Sequence, residues 1–165
     1  MKRLLFPAVL FAACTLSCND QSTTREPAAD ATPRIPQVKV DNVTYKDDTA
    51  TLQGVVAYDA TDSSKRPAVL VVPEWWGVVN FTRQRAEELA KLGYIAIVVD
   101  MYGNGKVAED PDQAGKMAGP FYQNPQMATR RIQAAINEVK KYPQTDTSRI
   151  DPIVFCFGGR LVVNA

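Results

Sequence analysis

Two short segments carry residue types able to do covalent chemistry. In Ile153-Val154-Phe155-Cys156-Phe157-Gly158-Gly159 an apolar run breaks into glycines directly after a cysteine. Such a sequence can form a sharp strand-to-helix turn that lifts one side chain out of the sheet, and a thiolate held there can attack a carbonyl carbon. In Pro73-Glu74-Trp75-Trp76-Gly77 a carboxylate sits beside two indole rings at the end of another apolar run. If both runs are parallel strands, Glu74 and Cys156 project from the same edge of one sheet. A nearby negative charge disfavours the thiolate and the start of a following helix favours it, so the sequence leaves the sign of that balance open. The base that commonly accompanies a thiol nucleophile is missing, because the 165 residues include no histidine.

The elements that would position these residues are legible as alternating patterns. Val38 to Val43 and Thr51 to Tyr58 read as a β-hairpin, with Lys46-Asp47-Asp48 turning the chain. From Pro67 onward buried strands alternate with helices. Ala68 to Val72 is an apolar run of strand length, and Tyr94 to Val99 is a second, closed by Asp100. Ile150 to Phe155 is a third buried strand that ends at the cysteine. Between the first two, Asn80 caps a helix that runs to Leu92, with Glu87 and Lys91 spaced for an ion pair and Gly93 placed to end it. Asn124-Pro125 opens another helix, in which Ala128, Ile132, Ala135, Ile136 and Val139 share a face. This order predicts an α/β fold with a doubly wound, mostly parallel sheet and an opening hairpin, its ligands bound at the carboxyl ends of the strands.

Composition narrows the function classes. With 19 basic and 18 acidic residues the chain has a formal net charge of +1, which gives no electrostatic case for nucleic acid. Arg130-Arg131 and Lys140-Lys141 read as a solvated helix face. Met1-Lys2-Arg3 followed by the apolar run Leu4 to Ala13 has the charged start and short hydrophobic centre of a secretory signal. Thr15-Leu16-Ser17-Cys18 resembles the lipobox of bacterial lipoproteins, which makes Cys18 the expected lipid attachment site, with Phe11-Ala12-Ala13-Cys14 a competitor. The expected organisation is a lipoprotein signal over 1–17, a flexible tether over 18–36 and one domain over 37–165 in an exported, membrane-anchored protein. Of three cysteines, Cys156 is then the one left for chemistry or for inert burial. No cysteine pair has metal-ligand spacing, so no metal site is expected.

Five blocks in order carry a family resemblance: Val71 to Gly77, Arg85 to Ala90, Gly93-Tyr94, Val99 to Gly103, and Phe155 to Gly159. Together they resemble the dienelactone hydrolase family from about residue 40 to the end. The resemblance implies an α/β-hydrolase fold and hydrolysis of ester or lactone bonds in a small-molecule substrate, with no metal or organic cofactor. Carried over by position, Cys156 is the nucleophile and Glu74 the carboxylate that contacts the resting thiol. The backbone NH groups of Phe157 and Trp75 form the oxyanion hole. Apart from the resemblance, the apolar rings of Trp75 and Trp76 could line a substrate pocket, with Trp76 the candidate lining residue. Departures from the family pattern are Val154, where glycine is usual two residues before the nucleophile and where a β-branched side chain could crowd the turn, and Pro73, where many relatives have histidine.

In α/β-hydrolases the acid and the histidine follow the nucleophile, and here nine residues (165 − 156) follow Cys156. The expectation is therefore a fold truncated after the nucleophile elbow, inactive as this chain. Its last strand is an open apolar edge that calls for a protein partner or leaves the chain poorly stable. The alternative is a non-enzymatic surface lipoprotein that keeps part of the fold as a binding module. For individual residues the plainer roles are a packed Cys156, a solvated Glu74, Trp75 and Trp76 sealing the sheet, and Asp100 holding a loop by hydrogen bonds.

Overall fold

The chain alternates strands and helices in the order its apolar runs require. The computed structural model describes residues 34–163. The expected signal segment, Cys14, Cys18 and most of the tether lie outside the described residues. Strands β1 (Val38–Lys46) and β2 (Thr51–Asp59) form the hairpin, followed by β3 (Arg66–Val72), α1 (Asn80–Lys91), β4 (Ile95–Val98), α2 (Pro111–Gln123), α3 (Pro125–Val139), β5 (Thr145–Val154) and α4 (Phe157–Val163). The sheet order is β1-β2-β4-β3-β5. Strands β4, β3 and β5 pair in parallel, whereas β2 is antiparallel to both β1 and β4, so β2 alone runs against the others.

Side-chain alternation along the strands gives two cores, one on each face of the sheet. Val55, Ala57, Val71, Ala96 and Val98 meet Ala86 and Ala90 of α1 on one face. Val56, Leu70, Val72, Ile95 and Ile97 face the other way, where Phe121, Ala128, Ala135, Val139, Phe157 and Leu161 cover them. Helix α1 uses small alanines where it lies on the sheet and ends in a Schellman arrangement. There Gly93 takes a φ of +91°, its N–H donates to Ala90 O (3.0 Å) and that of Tyr94 donates to Leu89 O (3.1 Å).

Several expectations are corrected. Asn80 is the first helical residue and not the cap; the N-cap is Val79, whose carbonyl accepts from Thr82 Oγ1 at 2.8 Å. The ion pair on α1 is Arg85–Glu88 at 2.7 Å and not Glu87–Lys91. Helix α2 is additional to the expected elements. It starts at a clear signal, with the Asp110 side chain accepting from Gln113 N at 2.8 Å and proline in the first turn. Gly115, Gly119 and Pro120 disguise its interior. Strand β5 lies at one edge of the sheet, and apart from buried Thr145 its residues are exposed or half-exposed, including Ile153 at 39% and Val154 at 38%. The segment 150–155, interrupted by Asp151, is therefore not the buried strand expected, while its place at the sheet edge is the expected one.

Arg131 is also not on a solvated face. It is 5% exposed, its Nη1 pairs with the carboxylate of Asp47 and donates to Thr49 Oγ1 (3.0 Å), and its Nε donates to Met101 O (3.2 Å). The partner carboxylate shapes the hairpin turn, since Asp47 Oδ1 accepts from Thr49 N (2.7 Å), Thr49 Oγ1 (3.0 Å) and Ala50 N (2.8 Å). Burial alone would raise the Asp47 carboxyl pKa. These bonds and the Arg131 charge outweigh burial and hold it below the ordinary value.

Candidate active site

Parallel pairing of β3 with β5 sets the site. Val72 and Val154 are register partners at the carboxyl ends of the two strands, and Phe155 N donates to Val72 O at 3.2 Å. Glu74 and Cys156 each follow two residues later, so they leave the sheet at the same edge. At Cys156 the backbone has a φ of +45°, a conformation L side chains rarely adopt and one that has to be held by its surroundings. It is held on both sides: Gly158 N donates to Phe155 O (2.9 Å) and Gly159 N to Cys156 O (3.0 Å) as α4 begins. Gly158 is required here, because a Cβ would lie 2.7 Å from Val72 O and 2.9 Å from Pro73 O. Val154 does not crowd the turn. It lies partly in solvent, and even a Cβ added at Gly159 would meet its methyl at an ordinary 3.6 Å. The Cys156 thiol is free and exposed, not packed away.

The second segment is a tight turn. Gly77 N donates to Glu74 O at 3.3 Å, which places Trp75 and Trp76 at its two central positions. Glu74 is half-buried, and no hydrogen bond joins it to Cys156 among the described residues. The contact implied by the family resemblance is thus not made in this arrangement, although both groups share the edge. The two indole rings meet edge to face with centroids 5.6 Å apart. Neither the Trp75 amide nor the Phe157 amide donates to an acceptor among the described residues. Both remain available to an incoming oxyanion.

A third segment, 100–108, braces this turn. Asp100 is 1% exposed, and its carboxylate accepts from Gln53 N (2.8 Å), Tyr102 N (3.1 Å), Gly103 N (2.8 Å) and Gly105 N (2.9 Å). Its role is the structural one, ordering a loop of left-handed residues: Gly103, Asn104 and Gly105. That loop reaches back to the tryptophan turn through Tyr102 Oη donating to Trp75 O (2.8 Å) and Ala108 N donating to Trp76 O (3.0 Å). Beneath the elbow, buried Phe157 is ringed by Tyr102, Phe121 and Tyr122, all with centroids within 6.0 Å. Burial, with the neighbouring Tyr122, raises the Tyr102 phenol pKa above its ordinary value, so the hydroxyl stays a donor. Sequence reasoning singled out neither Tyr102 nor Phe121 as part of the site. The available signal was Asp100-Met101-Tyr102-Gly103 directly after a buried strand, a place where loops meet ligands.

The arrangement brings an exposed thiol, two unpartnered amides and a carboxylate to one sheet edge, groups of the kinds that acyl transfer uses, with no imidazole among them. Among the described residues no cluster of three His, Cys, Asp or Glu side chains could hold a metal ion.

Relatives and solved structures agree with this geometry. A protein from Aquifex aeolicus (strain VF5) named "Putative carboxymethylenebutenolidase" is 34% identical over 113 residues, covering 66% of this chain and 48% of its own. A solved dienelactone hydrolase-like promiscuous phosphotriesterase from metagenomic libraries superposes with a TM-score of 0.73 at 31% identity, over 77% of this chain and 53% of its own. The structure titled "m3DLH" gives 0.74 at 29% identity with the same coverage. The chain spans about half the length of the relatives it matches. The family model described as "Dienelactone hydrolase family" matches residues 52–165, from the second strand of the hairpin through the cysteine elbow, and this chain belongs to that family.

Proposed function

We propose that Cys156 is the acyl-accepting nucleophile of an ester or lactone hydrolase. The observation that carries the reading is an exposed thiol at positive φ, one strand away from a turn that presents both a carboxylate and an unpartnered amide. Sγ attacks the carbonyl carbon, the amides of Phe157 and Trp75 receive the oxyanion, and collapse breaks the C–O bond. The thiol proton leaves with the alcohol or phenol, and water then cleaves the thioester to free acid and thiol. Glu74 assists removal of the thiol proton by rotating toward Sγ, a contact that catalytic groups often make only when substrate is bound. Trp76 lies beside the acyl group.

Within these 165 residues no histidine can protonate the leaving group or activate water, so the chain reacts with activated esters and turns over slowly. Mixing the 165-residue chain with p-nitrophenyl acetate gives about one equivalent of nitrophenol in a burst, an acetyl adduct on Cys156 by mass spectrometry, and neither in Cys156→Ala. Absence of the adduct in the wild type overturns the nucleophile assignment. Rapid turnover that vanishes in Cys156→Ala overturns the slow-turnover part.

The leader pattern supports export with lipid attachment at Cys18, and metabolic labelling with palmitate that is lost in Cys18→Ala is the corresponding test.

A further inference from the structure

Tyr102 touches both residues whose amides form the proposed oxyanion hole. Its hydroxyl donates to the carbonyl of Trp75 at 2.8 Å. Its ring stacks on that of Phe157, with centroids 6.0 Å apart and planes inclined by 29°. These two amides come from segments far apart in sequence, one from the turn after β3 and one from the first turn of α4. An oxyanion hole stabilises a developing charge only while its donors are held at a fixed separation, and small misplacements are expensive.

The carbonyl that Tyr102 holds belongs to the peptide between Trp75 and Trp76, the central peptide of the Glu74–Gly77 turn. That peptide is the part of a β-turn that reorients between turn types. A hydrogen bond onto its oxygen fixes one orientation of that peptide; the Trp75 amide lies in the preceding peptide, so the bond acts on it through the Trp75 Cα, by holding the turn in place against the loop after β4. Tyr102 is itself well anchored: its amide donates to the buried Asp100 carboxylate at 3.1 Å, and its ring meets Phe121 edge-on at 5.9 Å. Gly77, at the end of the turn, fits tightly against the same loop, since a Cβ there would lie 2.7 Å from Lys106 O and 3.4 Å from the Tyr102 ring.

We infer that Tyr102 is a positioning residue that sets the spacing of the Trp75 and Phe157 amides, coupling the loop after β4 to the efficiency of acyl transfer at Cys156. The inference rests on the hydrolase reading, and its test separates the two. Tyr102→Phe removes one oxygen and keeps the ring. Acylation by p-nitrophenyl acetate needs the oxyanion hole, whereas alkylation of the same thiol by iodoacetamide does not.

The expected result is an acylation rate lowered by about 10-fold, with alkylation unchanged. Replacing Tyr102 with p-aminophenylalanine, which keeps the ring and a donor, restores most of that rate. Both tryptophans of the chain lie in the braced turn, so acrylamide quenching of fluorescence reads this turn alone. It increases in Tyr102→Phe and returns in the amino variant. Equal acylation rates in wild type and Tyr102→Phe overturn the inference while leaving the hydrolase reading intact. Failure of the amino variant to recover either signal also overturns it. If the wild type alkylates but is not acylated, the hydrolase reading falls and takes this role with it.

Discussion

Replacing Arg131 by methionine tests whether the hairpin turn is held to α3 by charge. The substitution keeps an unbranched side chain in place of the arginine stem and removes three polar contacts: the ion pair to Asp47, the bond to Thr49 Oγ1 and the bond to Met101 O. Both side chains of the pair are enclosed, at 6% and 4% exposure. Breaking a buried pair by deleting one partner costs about 3–5 kcal/mol, because the remaining charge stays desolvated. The lower end applies here, since Asp47 keeps its bonds from Thr49 and Ala50. A loss of about 3 kcal/mol is a large share of a domain's typical 5–15 kcal/mol, and with a urea slope of about 1.5 kcal/mol/M it moves the midpoint down by about 2 M.

Removing both charges, in Asp47→Asn with Arg131→Met, costs less than the sum of the single changes, because no buried ion is left alone. The pH dependence has a definite sign. The Asp47 carboxyl lies below its ordinary value in the folded protein, so its contribution is complete above about pH 4 and fades as pH falls through the folded value. Protonation also relieves the unpaired carboxylate in Arg131→Met, so the gap between variant and wild type narrows in acid. A midpoint shift under about 0.5 M, or a gap that stays constant from neutral pH into the acid range, would refute the electrostatic account.

Three further outcomes are expected. Gly158→Ala forces a Cβ against the carbonyls of Val72 and Pro73 and costs about 1–3 kcal/mol by thermal or urea unfolding; it also slows acylation of Cys156, and an unperturbed melting temperature would contradict the close approach. Gly115→Ala and Gly119→Ala, at helical positions where a Cβ meets nothing within 4 Å, each stabilise α2 by about 0.5–1 kcal/mol, measurable as a raised urea midpoint. Val154→Lys places a charge on the open β5 edge, where Ile153 and Val154 are each more than a third exposed, and reduces concentration-dependent light scattering of the purified chain. Scattering equal to that of the wild type would show that this edge does not drive association.

The sequence was most legible where one local cause dominates. Apolar runs located β3 and β4 because both are enclosed on two faces, and Gly93 marked the end of α1 because φ there must be positive. Cys156 stood out because glycines follow a strand. For β5 the reading was half right: the strand lies at the open edge that was expected, but the segment from Ile150 to Phe155, interrupted by Asp151, is not the buried strand its apolar residues suggested. The same logic failed for α2, where Gly115, Gly119 and Pro120 lower helix propensity although tertiary contacts through Ala114, Ala118 and Phe121 compensate. Arg131 escaped because its partner, Asp47, is 84 residues away, and no local pattern announces a long-range ion pair. Tyr102 escaped for a similar reason, since its significance lies in two contacts made across separate segments.

The register of β3 against β5 has a consequence for how such a site can diversify. Glu74 and Cys156 are placed by two hydrogen-bonded neighbours, Val72 and Val154, and not by the three helices and one strand strung between them in the chain. Changes in α2 and the connections around it, outside β4 and the bracing loop 100–108, can reshape what reaches the edge while the β3–β5 register stays as it is. The parallel pair thus acts as a fixed gauge that sets where the thiol and the carboxylate leave the sheet, whatever walls surround them.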